Sequence, residues 1–320
     1  MLFERLNMNV PITKKMLLLL HQLRVARLEH FLILFGFPQD PEERQKKLNH
    51  IRVLLFRNNH KKNRERVSVH IKYKNIRKRL ELDALAAIDD TFLREEVEKH
   101  YPSLRGKSYT TQVSEWIEVD AIRSYERKPT IYYLGETGWQ EVQNLLQADG
   151  RYIEKSELLA DHDLGVNNIL MRLLQQLPRE DWSQVEWVPT FETRDQLFDL
   201  WKTIPKDQRR AKDRMISPDA RIFLYGKTVW GEYDNASKSK AEIKYQYRNY
   251  IMSLIPIQNR DPVIWVVRGR RRKDNMIRWW EEVKQEDQFR NRPLPDFHFF
   301  NPGEETKFIL EYASKGAKVC

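Results

Sequence analysis

The stretch "DPVIWVVRG", residues 261–269, carries an unbroken apolar run from Val263 to Val267. A strand with no polar alternation has no face to give to water, so it needs cover on both sides and belongs at the centre of a sheet. Helical patterns flank it: "SKSKAEIKYQYRNYIMSL" before and "DNMIRWWEEVK" after. Upstream, "VEWVPTF" reads as a short strand, and "ARIFLYGKTVWGEY" as two strands turned at Gly226-Lys227, glycine first as a type II′ turn prefers. "ADHDLGVNNILMRLLQQL" is an amphipathic helix with Val166, Ile169, Leu170, Leu173 and Leu174 on one side. The order α, β, β, β, α, β, α predicts that residues 151–320 form an α/β domain with a central mixed sheet.

The first 150 residues read differently. In "PITKKMLLLLHQLRVARLEHFLILFGF" a helix opens with Thr13 as its cap, and a second runs through Leu28, Phe31, Leu32 and Phe35 until Gly36 and Pro38 stop it. A third fits Pro41 to Phe56, with proline at a first helical position and acids in the first turn. "VSVHIKY", residues 67–73, alternates as a strand does, and an acidic helical stretch follows to His100. Next come a helix with Val113, Trp116 and Ile117 inward, two strands around the tip Glu126 to Pro129, and "LGETG" opening another helix. Helix, hairpin and helix with a charged tip make a winged-helix pattern; a plain hairpin packed on helices is the alternative. Asp40 to Lys107 is longer than one winged helix needs, which points to an insertion or a second winged helix. Gly150 is the expected boundary, and the whole chain is classed as α+β.

At 320 residues, two domains are the natural division. Net charge is +10, and it is clustered: Arg57 to Leu80 holds ten Lys/Arg against one Glu, and Arg268 to Lys273 holds five more cations. Such patches attract polyanions through counterion release. The candidate DNA contacts are Lys61, Lys62, Arg64, Arg66, Lys72, Lys74, Arg77, Lys78 and Arg79 in the first cluster and Arg270, Arg271 and Arg272 in the second. The winged region adds Thr110, Thr111 and Gln112 from its helix and Arg123, Arg127 and Lys128 from the hairpin. Double-stranded DNA is therefore the expected partner, with a homodimer or replication proteins as further partners. No apolar run approaches the roughly 18 residues of a membrane span. The one cysteine, Cys320, excludes an internal disulfide or a cysteine metal cluster and fits a cytoplasmic location.

Pro218-Asp219 precedes one strand of the predicted hairpin, and Glu232 and Asp234 stand two apart on the other, so both point the same way. Three carboxylates converging there would hold Mg²⁺ or Mn²⁺, and such an ion activates water against a phosphodiester. The arrangement resembles the core of restriction-endonuclease-like nucleases, in which Asp/Glu, any residue, then Lys follows the first Asp. Here Asp234 stands where the lysine is expected, and a carboxylate repels the developing negative charge that an ammonium stabilises. Lys240 or Lys244, on the next helix, is the candidate substitute. An active nuclease, an inactive endonuclease-like domain and a purely structural pair all remain open. His162, between Asp161 and Asp163, reads as part of a helix-capping arrangement.

The motifs "YYLGETG", "HDLGVNNIL", "PDARIFL", "GEYDNASKSKAEIKYQYRNY" and "PVIWVVRGRRRKDNMIRW" together resemble the replication-relaxation family of plasmids and other mobile elements. That resemblance implies a winged-helix DNA-binding part, residues 1–150, followed by a restriction-endonuclease-like domain, residues 151–320. It makes Glu232-Tyr233-Asp234 the family's own pattern, and His162, Asp163, Asp219, Glu232, Asp234, Lys244 and Tyr250 the matching positions. The implied function is DNA binding in plasmid replication or its control.

Overall fold

A computed structural model describes residues 7–36, 38, 40–57, 122–125, 130–148, 157–206 and 215–317. The chain divides into two compact units, Pro11–Lys155 and Ser156–Cys320, the second together with Met1–Val10. The expectations made for residues 58–121 and for the tip 126–129 lie outside the described residues.

In the first unit, α1 (Ile12–Leu23) leads through β1 (Val25–Ala26) to α2 (Leu28–Leu34) and α3 (Pro41–Arg57). Strands β2 (Ile122–Tyr125) and β3 (Ile131–Leu134) flank the expected tip, and α4 (Glu136–Leu146) follows. Thr13 is not the cap of α1: extended Pro11 precedes the helix and no side chain caps it. β1, unforeseen because two residues carry no periodicity, pairs antiparallel with β3, and the sheet runs in the order β1-β3-β2. The apolar run of α1, Met16 to Leu20, is buried together with Phe31 of α2, Ile51 and Leu55 of α3, Ile131 of β3 and Val142 of α4. Four consecutive buried leucines on a helix wrap more than one face, so α1 is the central helix of this unit.

The second unit begins with α5 (Glu157–Gln176), β4 (Val185–Pro189) and α6 (Thr190–Trp201). β5 (Ala220–Leu224) and β6 (Lys227–Asp234) form the predicted hairpin; α7 (Lys240–Leu254), β7 (Val263–Val267), α8 (Arg270–Lys284), β8 (Phe297–Phe300) and α9 (Glu305–Ala317) complete it. The sheet order is β4-β5-β6-β7-β8; β4, β5 and β6 run antiparallel, and β6, β7 and β8 parallel. The continuous apolar strand β7 is buried at every position beside β6 and β8, as its sequence demands. The hairpin turn differs from expectation. Tyr225 (φ 47°) and Gly226 (φ 77°) are both left-handed, and Lys227 already pairs with Leu224, so this is the type I′ pattern. Ser239 and Glu242 form a reciprocal capping box that starts α7. One core joins Trp201, Trp230, Tyr247, Tyr250, Trp265, Trp279, Trp280 and Phe289 with the aliphatic side chains of α7 and β7.

Candidate functional site

The register Ala220↔Gly231 puts Asp219 one step beyond the paired strands, across from Glu232. Its backbone is pinned there: the Thr190 hydroxyl donates to the Asp219 carbonyl at 2.8 Å and the Thr193 hydroxyl to the Pro218 carbonyl at 2.7 Å. Asp219 Oδ2 accepts the Tyr233 N–H at 2.9 Å and lies 3.0 Å from His162 Nε2. Tyr233 faces α5, where only a glycine lets its ring in: a Cβ on Gly165 would sit 2.0 Å from the ring.

Glu232 and Asp234 point away from Tyr233 and are both 2% exposed. Glu232 Oε1 accepts the Tyr250 hydroxyl at 2.5 Å, and Oε2 accepts Gln246 Nε2 at 3.0 Å. Asp234 is clasped by Arg272, with Nε at 2.8 Å and Nη2 at 3.2 Å, and the same guanidinium donates to the Lys238 carbonyl at 2.6 Å. The strand alternation correctly puts these two carboxylates on one side, but their partners come from different helices, α7 for Glu232 and α8 for Asp234.

Lys240 and Lys244 do not reach the acidic strand. Lys240 pairs with Glu282 at 2.8 Å and Lys244 with Glu282 at 3.4 Å, in a ladder continued by Arg248 and Glu286 at 2.6 Å. Their face of α7 lies against acids in and just after α8, Glu282 and Glu286, that stand 38 or more residues later, beyond what local periodicity reports. Among the described residues the ammonium that acts on Glu232 is instead Lys238, in the loop after β6. It donates to Gln246 Oε1 at 3.0 Å and its charge acts on Glu232. Sequence reading missed it because only its position four residues beyond Asp234, before the cap Ser239, marked it. Ser217, Glu232, Lys238, Tyr245, Gln246 and Asn249 line a pocket of about 250 Å³.

His162 is not at a helix start, since α5 begins at Glu157. It is a member of the acidic cluster. Burial disfavours its charged form, but the Asp163 carboxylate at 3.9 Å and the bond to Asp219 outweigh that and push its pKa up to about 10. Burial and then the Asp219 charge push the Glu232 carboxyl well above the usual carboxylate range, against the opposing pull of Lys238, Tyr250 and His162. Burial and the adjacent Glu232 also hold the Tyr250 phenol well above its ordinary value.

A Mg²⁺ or Mn²⁺ ion needs several convergent, accessible oxygens. Asp219, Glu232 and Asp234 each already accept a bond from a protein donor, which an ion would have to share or displace. Among the described residues no group of three or more His, Cys, Asp or Glu side chains is placed to hold a metal ion.

Of the expected DNA contacts, Arg270 and Arg271 are exposed at the start of α8, whereas Arg272 is the internal partner of Asp234. Arg123 lies on β2.

Of the matching positions inferred from "HDLGVNNIL", "PDARIFL" and "GEYDNASKSKAEIKYQYRNY", His162, Asp163, Asp219, Glu232 and Tyr250 lie together, Asp234 is held separately by Arg272, and Lys244 turns to Glu282. Residues 112–267 match the replication-relaxation family. The replication-relaxation span contains His162, Asp219, Glu232, Lys238 and Tyr250 and ends at Val267, before the arginines of α8. No curated protein and no solved structure matches the chain significantly. Among the described residues no helix is long and apolar enough to cross a membrane.

Proposed function

We propose that the protein binds double-stranded DNA in the replication, or replication control, of a plasmid or other mobile element. In this reading the first unit is a winged helix and the second a restriction-endonuclease-like domain turned from cleavage to structural and binding use. Support for the first comes from the order α1-β1-α2-α3-β2-β3 among the described residues, with sheet order β1-β3-β2. Support for the second comes from α5, β4, β5, β6, α7 and β7, with the acidic residues at the end of the antiparallel hairpin. The single observation that carries the non-cleaving form is that His162, Tyr250 with Gln246, and Arg272 each occupy one carboxylate of the set. The positive charge of the chain and the exposed Arg268, Arg270 and Arg271 supply phosphate contacts.

Fluorescence anisotropy with a labelled duplex tests this. Neutralising about six phosphates makes affinity fall roughly a thousand-fold between about 50 and 200 mM salt. That steep decline is the expected result; absence of binding at low salt, or an affinity indifferent to salt, contradicts it.

A second reading, a Mg²⁺- or Mn²⁺-dependent nuclease or nickase, is favoured by one observation. Lys238 brings an ammonium to the pocket beside Glu232, the group that position 234 lacks.

A further inference from the structure

We propose that α3 (Pro41–Arg57) is the sequence-reading helix of the first unit, and that Gln45, Asn49 and Val53 on its outward face read an A·T-containing step in the major groove. This rests on the DNA-binding reading above and adds to it which residues give specificity. The helix buries Ile51 and Leu55 against the unit and turns the opposite side outward. On that outward side stand Gln45, Lys46, Asn49 and Val53, all exposed and spaced along two helical turns.

Their chemistry is not that of a simple phosphate grip. α3 has five Lys/Arg against two Glu, but two of the cations are folded back onto the turn that joins α2 to it. Arg44 Nε donates to the Pro38 carbonyl at 3.2 Å and Lys47 Nζ to the Phe35 carbonyl at 2.5 Å. Asp40 Oδ2 accepts the Glu43 N–H at 2.7 Å, and the acids of the first turn, Glu42 and Glu43, repel phosphate at that end. What faces outward beside Lys46 is a pair of amides and one aliphatic side chain. Gln45 Nε2 donates to Asn49 Oδ1 at 3.0 Å, which holds both side chains in a fixed arrangement and leaves a Gln acceptor beside an Asn donor. That pairing matches the N6 donor and N7 acceptor of adenine in the major groove, the edge that Asn and Gln read. Val53 is 45% exposed in the middle of a polar face, where burial does not account for it. A thymine methyl is the apolar group that the same groove offers. Lys46 and Arg52 flank the face and complement the phosphates on either side.

The groove is about 12 Å wide and admits a helix, and the nine residues from Gln45 to Val53 rise about 12 Å, so these side chains reach neighbouring base pairs. No acid lies between Glu43 and Arg57 to oppose this docking.

The test is selection of bound duplexes from a random pool by the full-length protein, comparing wild type, Q45A/N49A and V53A. Alanine is the best helix former, so these exposed substitutions leave α3 intact, which a thermal melt checks. The expected result is an enriched site with an A·T step, whose preference Q45A/N49A loses. Its affinity for that site falls roughly ten-fold or more, while affinity for unrelated duplex is unchanged. V53A is expected to lose discrimination between thymine and uracil at one position. If wild type binds DNA but the variants select the same site with the same affinity, or weaken specific and unrelated DNA equally, α3 is not the reader. If wild type binds no duplex under any salt condition, this inference falls together with the DNA-binding reading.

Discussion

Arg272→Ala is expected to lower the free energy of unfolding by about 3–5 kcal/mol, measured by urea denaturation at neutral pH. The guanidinium is the bidentate partner of Asp234, which is 2% exposed at the end of β6, and it also ties down the Lys238 carbonyl. Removing it strands a buried carboxylate whose other bond in the structure is a 3.2 Å contact from the Ala236 N–H. The cost comes from that stranded charge rather than from the worth of the pair. Replacing both partners by apolar residues, as in Asp234→Leu with Arg272→Met, is therefore expected to recover a large part of the loss. Arg272 was an expected DNA contact on sequence grounds; if it served DNA alone, Arg272→Ala would leave the urea midpoint unchanged and weaken only binding.

Glu232→Gln is expected to make the protein more stable than wild type in alkaline solution and to flatten its stability against pH. The sign follows from the direction of the shift. A carboxyl held above its ordinary value of 4.5 keeps its proton more firmly in the folded chain than in the unfolded one. Above 4.5 the unfolded chain has released that proton while the folded chain retains it, so stability falls as pH rises through the window between the two values. Glutamine has no proton to lose and keeps groups able to meet Tyr250 and Gln246. By pH ~9 the variant should exceed wild type by on the order of a few kcal/mol, read from urea midpoints at a series of pH values. His162 adds a separate slope of the same sign. Its pKa, raised from 6.5 to about 10, gives stability that is full below 6.5 and is lost as pH climbs through about 10. Most of that slope should remain in Glu232→Gln, since Asp163 and Asp219 raise His162 more than Glu232 does, and it should disappear in His162→Ala. Equal pH profiles for wild type and Glu232→Gln would mean that Glu232 is ionised and solvated.

Much of the second unit follows from local pattern. The alternation of "GEYD" puts Glu232 and Asp234 together, the apolar run 263–267 demands a central strand, and the four-residue spacing in α7 makes one cationic face. What the pattern lacks is direction beyond the element. The α7 cations face Glu282 and Glu286 because α8 packs against α7, and nothing within residues 240–254 encodes that neighbour. His162 joins Asp219 across 57 residues, a contact decided by how α5 lies on β6 and by the missing side chain at Gly165. α6 escaped notice because it follows β4 directly at Pro189, with no polar linker between the two periods. β8 escaped because "FHFF" is half-buried throughout and shows neither alternation nor a continuous buried run. In the first unit the hairpin strands and the four described helices were legible, whereas a two-residue strand such as β1 exists only through its pairing with β3.

The central claim is that the carboxylates of the second unit serve the protein's own donors instead of a cleavage reaction. Incubation of supercoiled plasmid with wild type, Asp219→Ala and Glu232→Ala in Mn²⁺ addresses it directly. The expected result is the same low level of open circles for all three proteins. Nicking by wild type that both substitutions abolish, with the variants still folded, would contradict it.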